Sequence, residues 1–90
     1  MKNHWHVYIL RCIDGSLYTG ITRDVKARLE RHNEARGARF TRGRGPVRLI
    51  YSEECAGKSS ALKREAEIKK WSRSGKERLV KYGTSNLPRR

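Results

Sequence analysis

The stretch Val7–His32, VYILRCIDGSLYTGITRDVKARLERH, decides the fold. Residues 5–12, WHVYILRC, and residues 17–22, LYTGIT, are dense in β-branched and aromatic side chains and read as two strands. Asp14-Gly15 between them signals a hairpin turn. Loop length decides what the hairpin can do. A two-residue loop, Asp14-Gly15, pairs position 8 with 21 and sends Tyr8 and Tyr18 to opposite faces. A three-residue loop, Asp14-Gly15-Ser16 with a bulge, pairs 8 with 22 and puts both on one face. Both loops fit the sequence, and the odd one is required if the tyrosines act together.

Residues 23–35 then take helical spacing, with Thr22 or Asp24 as N-cap and Gly37 ending the region. Val25, Arg28, Leu29 and His32 fall on one inward-facing stripe. Two of them are polar, and a polar side chain turned toward a core needs a partner or a task. Residues 36–46, RGARFTRGRGP, read as a loop, and residues 47–54, VRLIYSEE, as a third strand. Ser59 or Ser60 caps a long helix, SALKREAEIKKW, whose apolar stripe is Ala61, Leu62, Ile68 and, among them, Glu65. Ser74-Gly75-Lys76-Glu77 reads as a capping box opening a last helix that runs through Tyr82 and closes at Gly83. The expected architecture is α+β: one small three-stranded antiparallel sheet flanked by helices. A single domain over residues 1–83 carries a flexible basic tail, 84–90.

Ninety residues suffice for one small domain. Twenty-two Lys and Arg against nine Asp and Glu give a net charge of +13. Such an excess repels itself and suits a polyanion, whose condensed counterions are released as phosphates are neutralised. No apolar run approaches a membrane span and no signal-peptide pattern opens the chain, so a cytoplasmic protein is expected, with nucleoid association left open and no membrane partner. Cys12 and Cys55 lack zinc-type spacing and read as small buried apolar residues. The loop arginines Arg36, Arg39, Arg42 and Arg44, with Phe40 among them, suit phosphate contact and base stacking. Arg11, Arg23 and Lys26 read as a solvated face near bound phosphate, and Arg23, Lys26 and Lys69 join the loop as expected nucleic-acid contacts.

Tyr8, Tyr18, Arg28, His32 and Glu65 lie on elements expected to face one centre. Their types meet the needs of phosphodiester cleavage: a base for water, a cation for the pentacovalent phosphate, and a carboxylate for a hard divalent ion. Tyrosine is an unusual base, with an ordinary pKa of about 10, and needs help from its surroundings. Plainer roles exist for each. The tyrosines could be strand aromatics, Arg28 could pair with Glu65, and His32 could be a helix C-terminal cation.

The ordered set resembles the GIY-YIG endonuclease family. His6-Val7-Tyr8 and Tyr18-Thr19-Gly20 look like its two half-motifs; Arg28, His32 and the helical Glu65 resemble the rest of its catalytic pattern. The likeness spans residues 5–82 and is nearest the short stand-alone bacterial members. It implies hydrolysis of DNA with one Mg²⁺ or Mn²⁺, with Glu65 as metal ligand and Arg28 on the phosphate. Tyr8 and Tyr18 would position or deprotonate water, Tyr8 being the favoured base, and His32 would assist. His6-Val7 replace Gly-Ile and Thr19 replaces Ile, both at positions without chemistry. Where some relatives have a lysine, Ile21-Thr22 follow the second half-motif, and Asn86 is the sole counterpart of a late asparagine.

The reading is therefore a metal-dependent endonuclease, monomeric, acting on structured or damaged DNA with little sequence preference and a role in DNA repair. RNA stays open as a substrate. Two rivals remain: a non-catalytic nucleic-acid-binding module, and a nuclease subunit active only with a protein partner.

Overall fold

The computed structural model describes residues 4–34 and 46–83. Strands β1 (Trp5–Arg11), β2 (Leu17–Thr22) and β3 (Arg48–Cys55) form one antiparallel sheet in the order β2-β1-β3. Helix α1 (Val25–Asn33) joins β2 to the segment leading into β3, and α2 (Lys58–Lys69) and α3 (Arg73–Tyr82) follow. The expected α+β sheet with flanking helices is present. The expected loop from residue 36 to 45 and the tail 84–90 lie outside the described residues.

The hairpin has neither register expected of it. Tyr8 pairs with Gly20 and Leu10 with Tyr18. Cys12 N–H donates to the Ser16 carbonyl and Gly15 N–H to the Cys12 carbonyl, each at 2.9 Å. The loop is thus Ile13-Asp14-Gly15, one residue earlier than the odd loop considered from sequence. Gly15 sits at φ +87°, the left-handed position that closes a three-residue hairpin, and Asp14 Oδ1 accepts from Ser16 N–H at 3.0 Å. Because the loop is odd, the parity argument survives: Tyr8 and Tyr18 share a face.

Alternation along β1 splits the core in two. Val7 and Ile9 point to one face and pack with Ala61 and Ile68 of α2 and Leu79 of α3. Tyr8, Leu10 and Cys12 point to the other, with Val47, Tyr18 and Leu29 of α1. Full burial of Ile68 and Leu79 is worth roughly 1.5–3 kcal/mol each. Leu62, expected on the buried stripe of α2, is instead exposed, because the stripe that meets the sheet is narrow and holds Ala61 and Ile68. Cys12 is buried, whereas Cys55 is half-buried; both are free thiols.

The start of α1 is set by an expected group, and those of α2 and α3 by groups beside the expected ones. Asp24 caps α1, its Oδ1 accepting from Ala27 N–H at 3.1 Å, while Thr22 Oγ1 accepts from Asp24 N–H. Gly57, not Ser59 or Ser60, is the N-cap of α2; Ser60 Oγ reaches back to accept from Gly57 N–H at 3.2 Å. Ser72 caps α3 by accepting from Gly75 N–H at 3.2 Å, two residues before the expected Ser74. Glu77 is thereby released from the expected capping box. It pairs instead with Arg11 at 3.0 Å and Arg73 at 3.1 Å. Arg11 is therefore a tether between β1 and α3 rather than a solvated phosphate contact.

Two further ties fix the frame. Asn33 at the end of α1 accepts from Val47 N–H at 2.7 Å and donates to its carbonyl at 3.3 Å. Arg64 of α2 bonds Glu53 of β3 at 2.8 Å and Glu67 at 2.9 Å, with its guanidinium over the Trp71 ring.

Candidate active site

The hairpin and α1 bring Tyr8, Tyr18 and His32 together. The Tyr8 hydroxyl lies 3.0 Å from His32 Nε2 in a buried hydrogen bond. Ring centroids are 6.2 Å apart for Tyr8 and Tyr18, 6.0 Å for Tyr8 and His32, and 5.2 Å for Tyr18 and His32. His32 is 2% exposed, so its place on the inward stripe answers a need: a buried imidazole must be satisfied, and Tyr8 does so.

A glycine makes this cluster possible. Gly20 lies opposite Tyr8 across the hairpin. A Cβ there would stand 2.8 Å from Tyr8 Oη, 2.9 Å from its Cζ and 3.0 Å from Tyr18 Cε2. Gly20 was not among the residues expected in the site. The signal was present in the sequence, since a glycine inside a strand marks a close approach by another group.

Electrostatics follow from burial and from Arg28. Burial pushes the Tyr8 phenol up to about 12, although hydrogen bonding to the neighbouring Arg28 guanidinium pulls the other way. Burial, and then the charge of Arg28, lower His32 below its ordinary value. At neutral pH the pair is thus a neutral phenol against a neutral imidazole. With the ring proton on Nδ1, Nε2 is free to accept from the Tyr8 hydroxyl. Arg28 Nε is buried with no hydrogen-bond partner, as is Nδ1 of His6, which shares the Tyr8 face of β1. The buried, unpartnered Nε–H of Arg28 beside the tyrosines is a ready donor for an anion.

Glu65 is not brought into contact with this cluster. It lies on α2, which packs on the opposite face of the sheet, and is half-buried, with its carboxylate 3.0 Å from Lys69 Nζ. It does not pair with Arg28. Lys69, an expected nucleic-acid contact, is thus the partner of the expected metal ligand. Among the described residues no group of three or more His, Cys, Asp or Glu could hold a metal ion. A lone hard carboxylate still fits Mg²⁺ or Mn²⁺, because such ions take few protein ligands and complete their shell with water and phosphate oxygens.

Of the other expected contacts, Arg23 and Lys26 are exposed on the turn into α1 and on α1 itself. Arg36, Arg39, Phe40, Arg42 and Arg44 lie outside the described residues. The sequence reading missed a cavity of about 400 Å³ where β1, the end of β2 and α1 meet. Trp5, Ile21, Arg23, Arg28 and Arg31 line it. No described helix is long and apolar enough to cross a membrane.

Comparison with known proteins bears on the family and the fold. Residues 4–79 match the GIY-YIG catalytic domain. The chain is 54% identical over 81 residues to a UPF0213 protein of Staphylococcus aureus strain Mu3, covering 90% of this chain and 98% of the relative. It is similar to the solution NMR structure of the UPF0213 protein BH0048 from Bacillus halodurans. That match has 47% identity and a TM-score of 0.57, covering 87% of this chain and 83% of the other. A second NMR structure, of protein EF2693 from E. faecalis, matches at 40% identity and TM-score 0.60, covering 90% and 88%.

Proposed function

This chain belongs to the GIY-YIG catalytic domain family, and from that premise we propose that it is a metal-dependent endonuclease that hydrolyses DNA. Family membership points to a nuclease with a nucleic-acid substrate. The observation that carries the finer reading is the buried 3.0 Å contact between the Tyr8 hydroxyl and His32 Nε2, beside an arginine whose Nε–H has no partner. The net charge of +13 supplies attraction for a polyanion of any sequence.

In this mechanism water attacks the scissile phosphorus while its proton passes to Tyr8 Oη. The Tyr8 proton moves in the same step to His32 Nε2. Tyr8 never accumulates as tyrosinate, so its raised pKa is no obstacle; His32 is the net base and its lowered pKa keeps it neutral and ready. Arg28 donates to the pentacovalent phosphate as charge builds on it. The bond from phosphorus to the leaving sugar oxygen then breaks, and that oxygen takes a proton from solvent. Tyr18 packs against His32 and holds its ring. Glu65 is the residue that would hold a divalent ion, and such an ion would supply Lewis-acid stabilisation of negative charge on a phosphate.

Structured or damaged DNA is the favoured substrate by family analogy, cut with little sequence preference because no element among the described residues is evident for reading base edges. The test is nicking of supercoiled plasmid with Mg²⁺ or Mn²⁺, against EDTA and Glu65→Ala. Cleavage lost in both controls, with DNA binding retained, supports the proposal. Salt-sensitive binding without cleavage under either metal refutes it and favours a binding module or a partner-dependent subunit.

A further inference from the structure

The cavity beside Arg28 has a wall composition that the hydrolytic reading leaves unused. Trp5 and Ile21 give it a flat apolar side; Arg23, Arg28 and Arg31 give it three cations. Asp24 also lines it, but its Oδ1 is engaged as the cap of α1 at 3.1 Å from Ala27 N–H. With three guanidinium groups against one carboxylate, the cavity lining is net cationic. At about 400 Å³ it lies within the size range of small-ligand sites.

Trp5 is prepared for an aromatic ligand. It is half-buried, anchored against the Val7 and Ile9 side of the core. The Arg23 guanidinium sits 6.0 Å from its ring centroid and the Lys58 ammonium 5.4 Å. Both cations are on exposed, flexible side chains and are held there by an interaction that is weak at exposed sites. A flat base stacking on the ring would replace them, and both could then turn to flanking phosphates. Arg28 joins the two sites, because it lines this cavity and also bears on the Tyr8 hydroxyl. A phosphate gripped by Arg28 at the hydrolytic centre therefore has the cavity within one nucleotide's reach.

We propose that this cavity is a nucleotide subsite, in which the base next to the scissile phosphate stacks on Trp5 between Ile21 and Ala27 while Arg23 and Arg31 hold its phosphate. The adjacency to a scissile phosphate rests on the nuclease reading; the capacity to bind a nucleotide does not. The cut strand must then present one base turned out of its stack, as enzymes that need access to a nucleotide require.

The experiment is an NMR titration of the protein in EDTA with deoxyadenosine monophosphate, and separately with inorganic phosphate. The nucleotide should shift the Trp5 indole N–H and the Ile21 and Ala27 methyl groups, and phosphate alone should leave the indole unmoved. Trp5→Phe should keep nucleotide affinity within a few-fold. Trp5→Leu, which preserves apolar bulk against the core, should weaken it about 10-fold, the loss of one base–aromatic stack. Equal shifts from phosphate alone, unchanged affinity in Trp5→Leu, or nucleotide shifts centred elsewhere would overturn the subsite. No DNA is cut in this assay, so its outcome is separate from that of the plasmid test.

Discussion

Gly20→Ala is the sharpest perturbation of the tyrosine cluster. The new methyl group would meet Tyr8 Oη at 2.8 Å, Tyr8 Cζ at 2.9 Å and Tyr18 Cε2 at 3.0 Å. Relief to ordinary carbon contact needs a shift of about 0.5 Å or more. Tyr8 has little room to give, being 1% exposed and bonded to His32 at 3.0 Å. Overpacking of this kind costs about 1–3 kcal/mol. The loss of unfolded-state freedom at a former glycine returns about 0.4–1 kcal/mol. The net loss is about 0–2.6 kcal/mol, centred on ~1.3 kcal/mol, which urea denaturation resolves and which lowers Tm by about 4–8 °C per kcal/mol in a domain of this size. The displaced hydroxyl should also slow DNA cleavage. An alanine variant as stable as the parent, with the Tyr8 and His32 resonances unmoved, would refute the close approach on which the site is built.

Other outcomes follow from the same contacts. His32 has a folded-state pKa below its unfolded value, so the unfolded chain binds more protons at mildly acid pH. Its contribution is therefore complete above about pH 6.5 and declines as pH falls toward the folded value; His32→Gln should flatten that part of the stability profile in urea melts. Arg64→Ala removes the guanidinium from a half-buried Glu53 that keeps the Tyr51 hydroxyl as donor, and should cost about 1.5 kcal/mol, measured the same way; an unchanged midpoint would contradict the assigned tie between α2 and β3. Glu65→Gln keeps the shape of a half-buried side chain, loses only its pairing with the exposed Lys69 ammonium, and should stay within about 0.5 kcal/mol of the parent in stability while metal-dependent cleavage falls. A large loss of fold in that variant would make Glu65 a structural residue.

Much of this was readable in the chain. Strand alternation and the Asp14-Gly15 turn gave the hairpin, and the inward stripe of α1 put His32 with the tyrosines. The exact register was not readable, because a turn one residue earlier satisfies the same turn signal and Gly15 can serve in either. Helix starts moved for a related reason: Ser59, Ser60, Ser72 and Ser74 all carry capping hydroxyls, and only tertiary packing selects Gly57 and Ser72. Glu65 was grouped with the tyrosines by its helical stripe, yet a stripe says which way a side chain turns and not which face of a sheet its helix covers. The Trp5 cavity was invisible because its walls come from β1, the end of β2 and α1, and no single periodicity links them. The expected contacts in the loop 36–44 lie outside the described residues.

The most direct test of the central claim is single-turnover cleavage of a labelled DNA by Tyr8→Phe. This change removes one hydroxyl from a buried ring and leaves the packing of Leu10, Tyr18 and Leu29 around it intact. If Tyr8 passes the water proton to His32, the variant should bind DNA as the parent does and cut it about 10²–10⁴-fold more slowly, the usual worth of a positioned proton-transfer group. A Tyr8→Phe protein that cuts at the parent rate would place the proton transfer elsewhere and contradict the account.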